Sequence, residues 1–362
     1  MAASFRCVVE YGSNVQHFQQ LFAGIRRLER LNILRARWRY RDLPEGFFIL
    51  RLSDGASIGF DTSDSARVCQ AQYSECDAYF KRSLEQTTAS CLRKLHPLGL
   101  NYLVYDDRVD LAHVRRIIRC SGSAADRLRS LGVALAIDSV LPFARLEQER
   151  LAVMSAPPRM SAASDSVRVL FSARLWDPKE VQSKAAKEDR ENINAERIEL
   201  VRRLRVEFGE AYVGGIVEDS FSVTAARDVL VPRNFHRKQS YLRTLRASDI
   251  AVATTGLHGS IGWKFGEYVA FSKAIVTEPL KYLVPGPFSK GVNYLAYDSV
   301  DDCVEKVKSL AADRASRYAM SEANARYYFD YLIPERMLLR AILLGNEDYR
   351  RAAVEGSAGG AS

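Results

Sequence analysis

No run of about 20 apolar residues occurs in the 362-residue chain, which argues against a bilayer-crossing helix on hydropathy. The opening Met1-Ala-Ala-Ser-Phe-Arg-Cys7 lacks the basic segment and apolar stretch of a secretory signal, so a soluble, cytoplasmic protein is expected. Cysteine is sparse. The six residues Cys7, Cys69, Cys76, Cys91, Cys120 and Cys303 are scattered, form no C-x-x-C, and do not cluster with the five histidines at zinc-ligand spacing. Buried, reduced thiols and no metal site are therefore expected. Acidic residues are outnumbered, 44 against 52 basic, which gives a net charge of +8 and a pI near 9.1. That surplus suits an anionic partner: nucleic acid, an anionic membrane surface or a phosphorylated substrate. The two signs are interspersed, no long basic run occurs and no recognised nucleic-acid motif appears, so nucleic acid is not expected. No internal repeat is visible.

With 47% hydrophobic residues over this length, the chain is long enough for two domains, each burying its own core. The first half opens with a strand at Phe5–Glu10, a turn at Tyr11-Gly-Ser-Asn14 with Asn14 as N-cap, and a helix carrying Phe18, Leu21, Phe22, Ile25 and Leu28 at helical spacing. Strands are predicted at Ile33–Tyr40, at Phe47–Leu52 and, after Ser53-Asp-Gly-Ala, in a short segment ending at Phe60. Further strands are predicted at Tyr102–Tyr105 and Val133–Ile137. The stretch 155–166, rich in Pro and small polar residues, predicts a linker between a first domain at 1–154 and a second at 167–330.

The second domain reads as alternating strands and helices. Strands are expected at Val167–Ser172, Ala211–Gly215, Ile250–Thr254 and Ala274–Thr277. Helices are expected at Ile193–Phe208, Tyr241–Ala247, Trp263–Phe271, 301–311 and 317–330. Such alternation implies a parallel sheet covered on both faces. A last helix is expected over 331–350, started by Pro334, and a disordered tail over 351–362.

Thr255-Gly-Leu-His-Gly-Ser-Ile-Gly-Trp-Lys-Phe-Gly-Glu267 places Gly256, Gly259 and Gly262 between a predicted strand and a predicted helix. A loop of this kind lets backbone approach a phosphate, and a helix N-terminus offers N–H donors and a positive dipole end to a pyrophosphate. His258 and Ser260 lie inside the loop. Lys264 adds a charge, and Glu267, a turn further in, is placed to accept from a ribose diol. The alternative is a glycine-rich turn that only permits tight packing, with His258 as a packing residue at the helix entry.

From Trp263 to Val307 the order Trp-Lys-Phe-Gly-Glu-Tyr-Val-Ala-Phe-Ser-Lys-Ala-Ile-Val-Thr-Glu-Pro279, Gly291-Val-Asn-Tyr-Leu295 and Asp301-Asp-Cys-Val-Glu-Lys-Val307 resembles the C-terminal domain of bacterial group 1, family 4-like glycosyltransferases. Upstream, Phe171-Ser-Ala-Arg-Leu-Trp-Asp-Pro-Lys179 is similar to that family's strand-ending G-R-L with a lysine five residues after the arginine. The resemblance implies a GT-B fold: two Rossmann-like α/β domains with parallel sheets facing a cleft, and a C-terminal helix crossing back. It implies that Arg174 and Lys179 grip the donor diphosphate and that Glu267 contacts the ribose, with Glu278 facing the donor sugar. The alternative has Arg174 in a structural pair and Lys179 and Glu278 solvated. No Asp-x-Asp is present, so the cations replace the metal of the other main glycosyltransferase fold. The chain departs from the family's E-x7-E motif, whose first glutamate is replaced here by Gly259.

The activity implied by this resemblance is that of a metal-independent glycosyltransferase with no cofactor. Its donor is a nucleotide-sugar and its acceptor a glycan or lipid-linked species of a surface polysaccharide or lipopolysaccharide pathway. A GT-B-fold nucleotide-sugar epimerase, a basic nucleic-acid-binding protein and a non-catalytic scaffold are the alternatives. In the first half, Gly12, Ser13 and Asn14 stand where an acceptor would approach, and Asp61, Asp64 and His96 are the candidate bases for an inverting reaction. Arg35, Arg37, Arg39 and Arg41 alternate with Ala36, Trp38 and Tyr40, giving a strand with cations on one face. That face either attracts a lipid phosphate or anionic membrane or guards a sheet edge.

Overall fold

A computed structural model of the chain describes residues 5–12, 15–102, 104 and 167–359. Ser13, Asn14, the strand expected at Val133–Ile137 and the linker at 155–166 lie outside the described residues. The chain divides into two compact α/β units. The first comprises the described residues up to Val104 together with Tyr282–Gly286 and the chain from Phe329 on; the second comprises Val167–Lys281 and Pro287–Tyr328.

The first unit carries strands β1 (Phe5–Tyr11), β2 (Leu34–Tyr40), β3 (Phe47–Leu52), β4 (Ser57–Asp61), β5 (Ala78–Lys81) and β6 (Leu95–Pro97) in the order β2-β1-β3-β4-β5-β6. Five strands run parallel. The exception to the expected parallel sheet is β3, antiparallel to both β1 and β4. The short Ser53–Ala56 connection explains it, because adjacent strands joined by a tight turn must run in opposite directions. Helix α1 (Gln19–Arg30) packs one face of this sheet with Leu21, Phe22, Ile25 and Leu28, all buried.

The final helix returns to the same core, burying Met337, Leu338, Ala341 and Ile342. It spans Pro334–Gly359, so residues 351–359 of the tail expected to be disordered continue the helix. Arg350-Arg-Ala-Ala-Val-Glu355 contains no glycine or proline to stop it. Gly24 on α1 lies against the start of this helix: a Cβ there would stand 2.8 Å from the carbonyl carbon of Pro334. Gly24→Ala is expected to destabilise the first unit by about 1–3 kcal/mol, read as a lower Tm with nucleotide affinity unchanged.

Short elements complete the unit: α2 (Gln70–Glu75) and α3 (Gln86–Cys91) cover the other sheet face around Phe47, Ile49 and Tyr79. Cys7, Cys76 and Cys303 are buried, and burial pushes the Cys7 and Cys76 thiols up to about 12. Cys91, by contrast, is exposed.

The second unit holds β7 (Val169–Ala173), β8 (Tyr212–Val217), β9 (Leu230–Val231), β10 (Ile250–Ala253), β11 (Ala274–Thr277) and β12 (Leu295–Ala296) in the order β12-β11-β10-β7-β8-β9, every neighbouring pair parallel. Its helices are α4 (Lys184–Phe208), α5 (Ser220–Ala225), α6 (Lys238–Ala247), α7 (Trp263–Ala270), α8 (Val300–Ala312) and α9 (Arg314–Tyr327); the last helix, Pro334–Gly359, is α10. The central strands β7, β10 and β11 are fully buried runs, such as Ile250-Ala-Val-Ala253 and Ala274-Ile-Val-Thr277, the composition of a sheet covered on both faces. Among the described residues no helix is long and apolar enough to cross a membrane.

Candidate functional site

In the second unit the chain runs outward from β7 through β8 to β9, then returns to β10 beside β7 and runs outward the other way through β11 to β12. The gap between β7 and β10 is a topological switch point, where open α/β sheets bind ligands outside the carboxyl ends of their strands. Arg174 directly follows β7, the glycine loop follows β10, and Glu278 follows β11.

The loop closes on itself. The Gly256 N–H donates to Ser260 O at 2.8 Å, the Gly259 N–H to Gly256 O at 3.0 Å, and the Ser260 N–H to Leu257 O at 3.2 Å. A Cβ at Gly256 would stand 2.7 Å from Ser260 Oγ, so a side chain there requires the Ser260 hydroxyl to turn away. His258, exposed, and Gly259 both adopt left-handed backbone, at φ 63° and 69°. A side chain at 259 would be strained by that φ and would stand 3.3 Å from Lys281 Cδ. Gly262 is the N-cap of α7, which has no side-chain cap, and a Cβ there would meet nothing within 4 Å. The Phe265 N–H donates to Gly262 O at 3.1 Å, and the positive end of the α7 dipole lies at this turn.

Two cations stand ready. The Arg174 and Lys179 side chains are exposed and carry no hydrogen bond or ion pair among the described residues; the structural pair considered for Arg174 is not formed. Lys179 is set in its turn by its own backbone N–H, which donates to Asp177 Oδ1 at 2.9 Å. Lys264 differs from the freely charged group expected: its Nζ donates to Ser172 O at 2.6 Å, on β7. Burial pulls its pKa down to about 7, opposed by Glu267 and reinforced by Arg197, Lys238 and Arg174. A buried ammonium lacks water, and neighbouring cations penalise its charge further.

Both expected donor carboxylates are already engaged. Glu267, only 3% exposed, is ion-paired through Oε1 to Lys238 Nζ, so the ribose acceptor expected from the sequence is held by a lysine of α6. Its charge, after burial, drives the Tyr241 hydroxyl well above its ordinary value. Glu278 Oε2 accepts from the Thr255 N–H and, at 3.0 Å, from Thr255 Oγ1, which ties the end of β11 to the loop after β10.

Arg197, on α4, is a site residue that spacing along the sequence does not reveal. It is 6% exposed, and its guanidinium donates to Arg174 O at 2.6 Å, Thr255 O at 2.9 Å and Thr254 Oγ1 at 3.0 Å. It therefore braces the ends of β7 and β10 across the switch point, and burial pulls its pKa down to about 10. Beside it Glu196 accepts from the Tyr297 hydroxyl at 2.9 Å, its own carboxyl raised by burial and by repulsion from Glu278. The signal that could have found Arg197 is a polar continuation of an apolar stripe: Leu204 and Val201 lead back by alternating threes and fours to Arg197, Asn194 and Arg190, all buried.

In the first unit the candidate residues serve the fold. Gly12 is buried, and a Cβ there would stand 3.0 Å from Leu43 O, so its small size permits packing rather than substrate approach. Asp61 is 2% exposed, with Oδ1 accepting from Ser63 Oγ at 2.6 Å and Oδ2 from Tyr79 OH at 2.6 Å and Lys81 Nζ at 2.9 Å. Asp64 pairs with the buried Arg82 at 2.7 Å. His96 Nε2 lies 2.6 Å from Asp348 Oδ2 on α10, its ring stacked on Phe80 at 5.0 Å between centroids. Each of the three candidate bases is held by a partner.

No protein-family model matches the chain, and no curated protein does. Solved structures similar to it include a glycosyltransferase from Rickettsia africae (TM-score 0.41, 9% identity, covering 94% of this chain and 84% of that one). A putative UDP-N-acetylglucosamine 2-epimerase from Listeria monocytogenes is similar at TM-score 0.41 and 9% identity, covering 97% and 98% of the two chains. The C-terminal domain of a glycosyl transferase group 1 family protein from Francisella tularensis is similar at TM-score 0.31 and 13% identity, covering 51% of this chain and 92% of that one.

Proposed function

We propose that this chain is a glycosyltransferase that holds the nucleoside diphosphate of a nucleotide-sugar donor at the carboxyl edge of its second sheet. One observation carries the reading: a closed glycine loop, an uncapped helix N-terminus and the unpaired side chains of Arg174 and Lys179 share one switch point. Backbone donors and the α7 dipole take the pyrophosphate, and Arg174 and Lys179 supply charge. As the glycosidic bond to the donor breaks, negative charge grows on the leaving diphosphate, and cations already in place stabilise it without reorganisation. The cations take the part a divalent metal plays in the other main glycosyltransferase fold. The acceptor is a glycan or lipid-linked species of a surface polysaccharide pathway.

Calorimetry against UDP, GDP, CMP and ADP tests the donor site. One diphosphate is expected to bind saturably, and its sugar conjugate to release free diphosphate only when acceptor is added. Altered sugar without acceptor identifies an epimerase instead. A folded protein that binds none of the nucleotides overturns the reading.

A further inference from the structure

The sheet face of the first unit that α1 leaves uncovered carries a row of arginines. On β1 and β2, Cys7, Val9, Leu34 and Trp38 face the core, so Arg6, Val8 and Glu10 and Arg35, Arg37 and Arg39 share the opposite face. Strand register sets Arg6 beside Arg35, Val8 beside Arg37 and Glu10 beside Arg39, and on the other side Arg51 of β3 lies beside Val8.

The row divides into two parts. Toward the carboxyl ends of β1 and β2, the fully buried Glu10 pairs with Arg39, with Arg41 at 2.9 Å and with Arg51 at 3.1 Å, while Glu75 takes Arg41 and Arg51. Toward the amino ends, Arg6, Arg35 and Arg37 are exposed and form no ion pair or side-chain hydrogen bond among the described residues. Six arginines thus face two carboxylates on a surface with no helix over this end among the described residues. The paired half fixes the strands; the unpaired half leaves three positive charges, spaced by the pleat on one face. Leu31, 61% exposed, stands on the turn leading into β2 at the same end.

From this geometry we infer that the Arg6, Arg35 and Arg37 face docks on an anionic lipid bilayer. Three exposed, unpaired cations on neighbouring strands face an array of lipid phosphates, each arginine contributing near the surface, and the exposed Leu31 adds an apolar group at its margin. Single-stranded nucleic acid is the poorer match: Trp38 belongs to the opposite face and packs on Phe22, and Phe47 and Tyr79 on this face are buried, so among the described residues the arginine end offers no exposed ring on which bases stack.

The test is co-sedimentation of the whole chain with phosphatidylcholine vesicles, with and without phosphatidylserine, for the native protein and the triple variant Arg6→Gln, Arg35→Gln, Arg37→Gln. Binding is expected only to the anionic vesicles, to fall about 100-fold in the triple variant, and to vanish as salt is raised. Because the three side chains have no partners among the described residues, the melting temperature and nucleotide affinity of the variant are expected to match the native protein, which separates this surface from the donor site. Anionic-vesicle binding that the triple variant retains overturns the assignment. So does the absence of vesicle binding, and arginine-dependent binding to a random oligonucleotide without vesicle binding reassigns the face to nucleic acid.

Discussion

Replacing Arg174 by alanine is expected to weaken nucleoside-diphosphate binding by about 10- to 100-fold, the range for losing charge-assisted hydrogen bonds to an anion. Melting temperature without ligand is expected to stay unchanged. The two readouts separate because the Arg174 side chain is exposed and without a partner among the described residues, so its truncation leaves no buried group unsatisfied. Its backbone carbonyl still accepts from Arg197, and the end of β7 keeps its brace. Arg197→Ala is the contrasting case: it withdraws three hydrogen bonds from the switch point and is expected to lower stability and affinity together. An Arg174→Ala variant with native affinity for every nucleotide would remove this residue from the donor site.

Diphosphate binding is also expected to take up close to one proton at pH 8 and to weaken as pH rises above about 7. Lys264 has its pKa pulled down to about 7 from the usual 10.5. Above that pH it is largely neutral in the free protein, and an anion at the α7 N-terminus would favour its ammonium. Linkage then requires proton uptake on binding, hence affinity that falls with pH until the bound-state pKa is reached. The same depressed pKa acts on folding in the opposite sense. Between about 7 and 10.5 the unfolded chain holds more protons on this lysine than the folded one does, so this group makes the ligand-free protein more stable as pH rises through that window. Calorimetry in two buffers of different ionisation enthalpy counts the protons. Lys264→Met is expected to abolish the uptake; uptake that persists in this variant would place the titrating group elsewhere.

Much of the second unit is legible in the sequence, because its strands are short apolar runs punctuated by glycines and charged helices. β11 lies where it is expected, and β10 and α7 end within a residue of their expected limits. Less is legible where burial leaves no period. β5 is buried at every position, and α2 and α3 bury none of their residues, so neither strand alternation nor a helical stripe marks them. Helix α4 begins at Lys184 rather than Ile193: its first turns, Lys184-Ala-Ala-Lys-Glu-Asp-Arg-Glu-Asn192, are mostly charged and carry no apolar stripe.

At the site, local spacing points to the right neighbourhood and to the wrong state for several groups. Glu267 and Lys264 are expected to be available, yet one is paired with Lys238 and the other bonded to the β7 backbone. Lys238 opens α6, ahead of the helix expected from Tyr241, and nothing local announces a partner so far along the chain. Pairing across elements is a property of the folded sheet, which spacing along one segment does not encode.

The return of the chain to its first unit has a consequence for synthesis. The second unit is built from residues 167 to 328 with one short excursion, so it completes its sheet while the chain is still emerging. The six described strands of the first unit are made by Pro97, yet Met337, Leu338 and Ile342 supply part of the core over α1. Until those residues leave the ribosome, Phe22 and Ile25 lack their cover, and a nascent chain stalled at residue 328 presents an open apolar face to chaperones. The domain that begins first is the one that closes last.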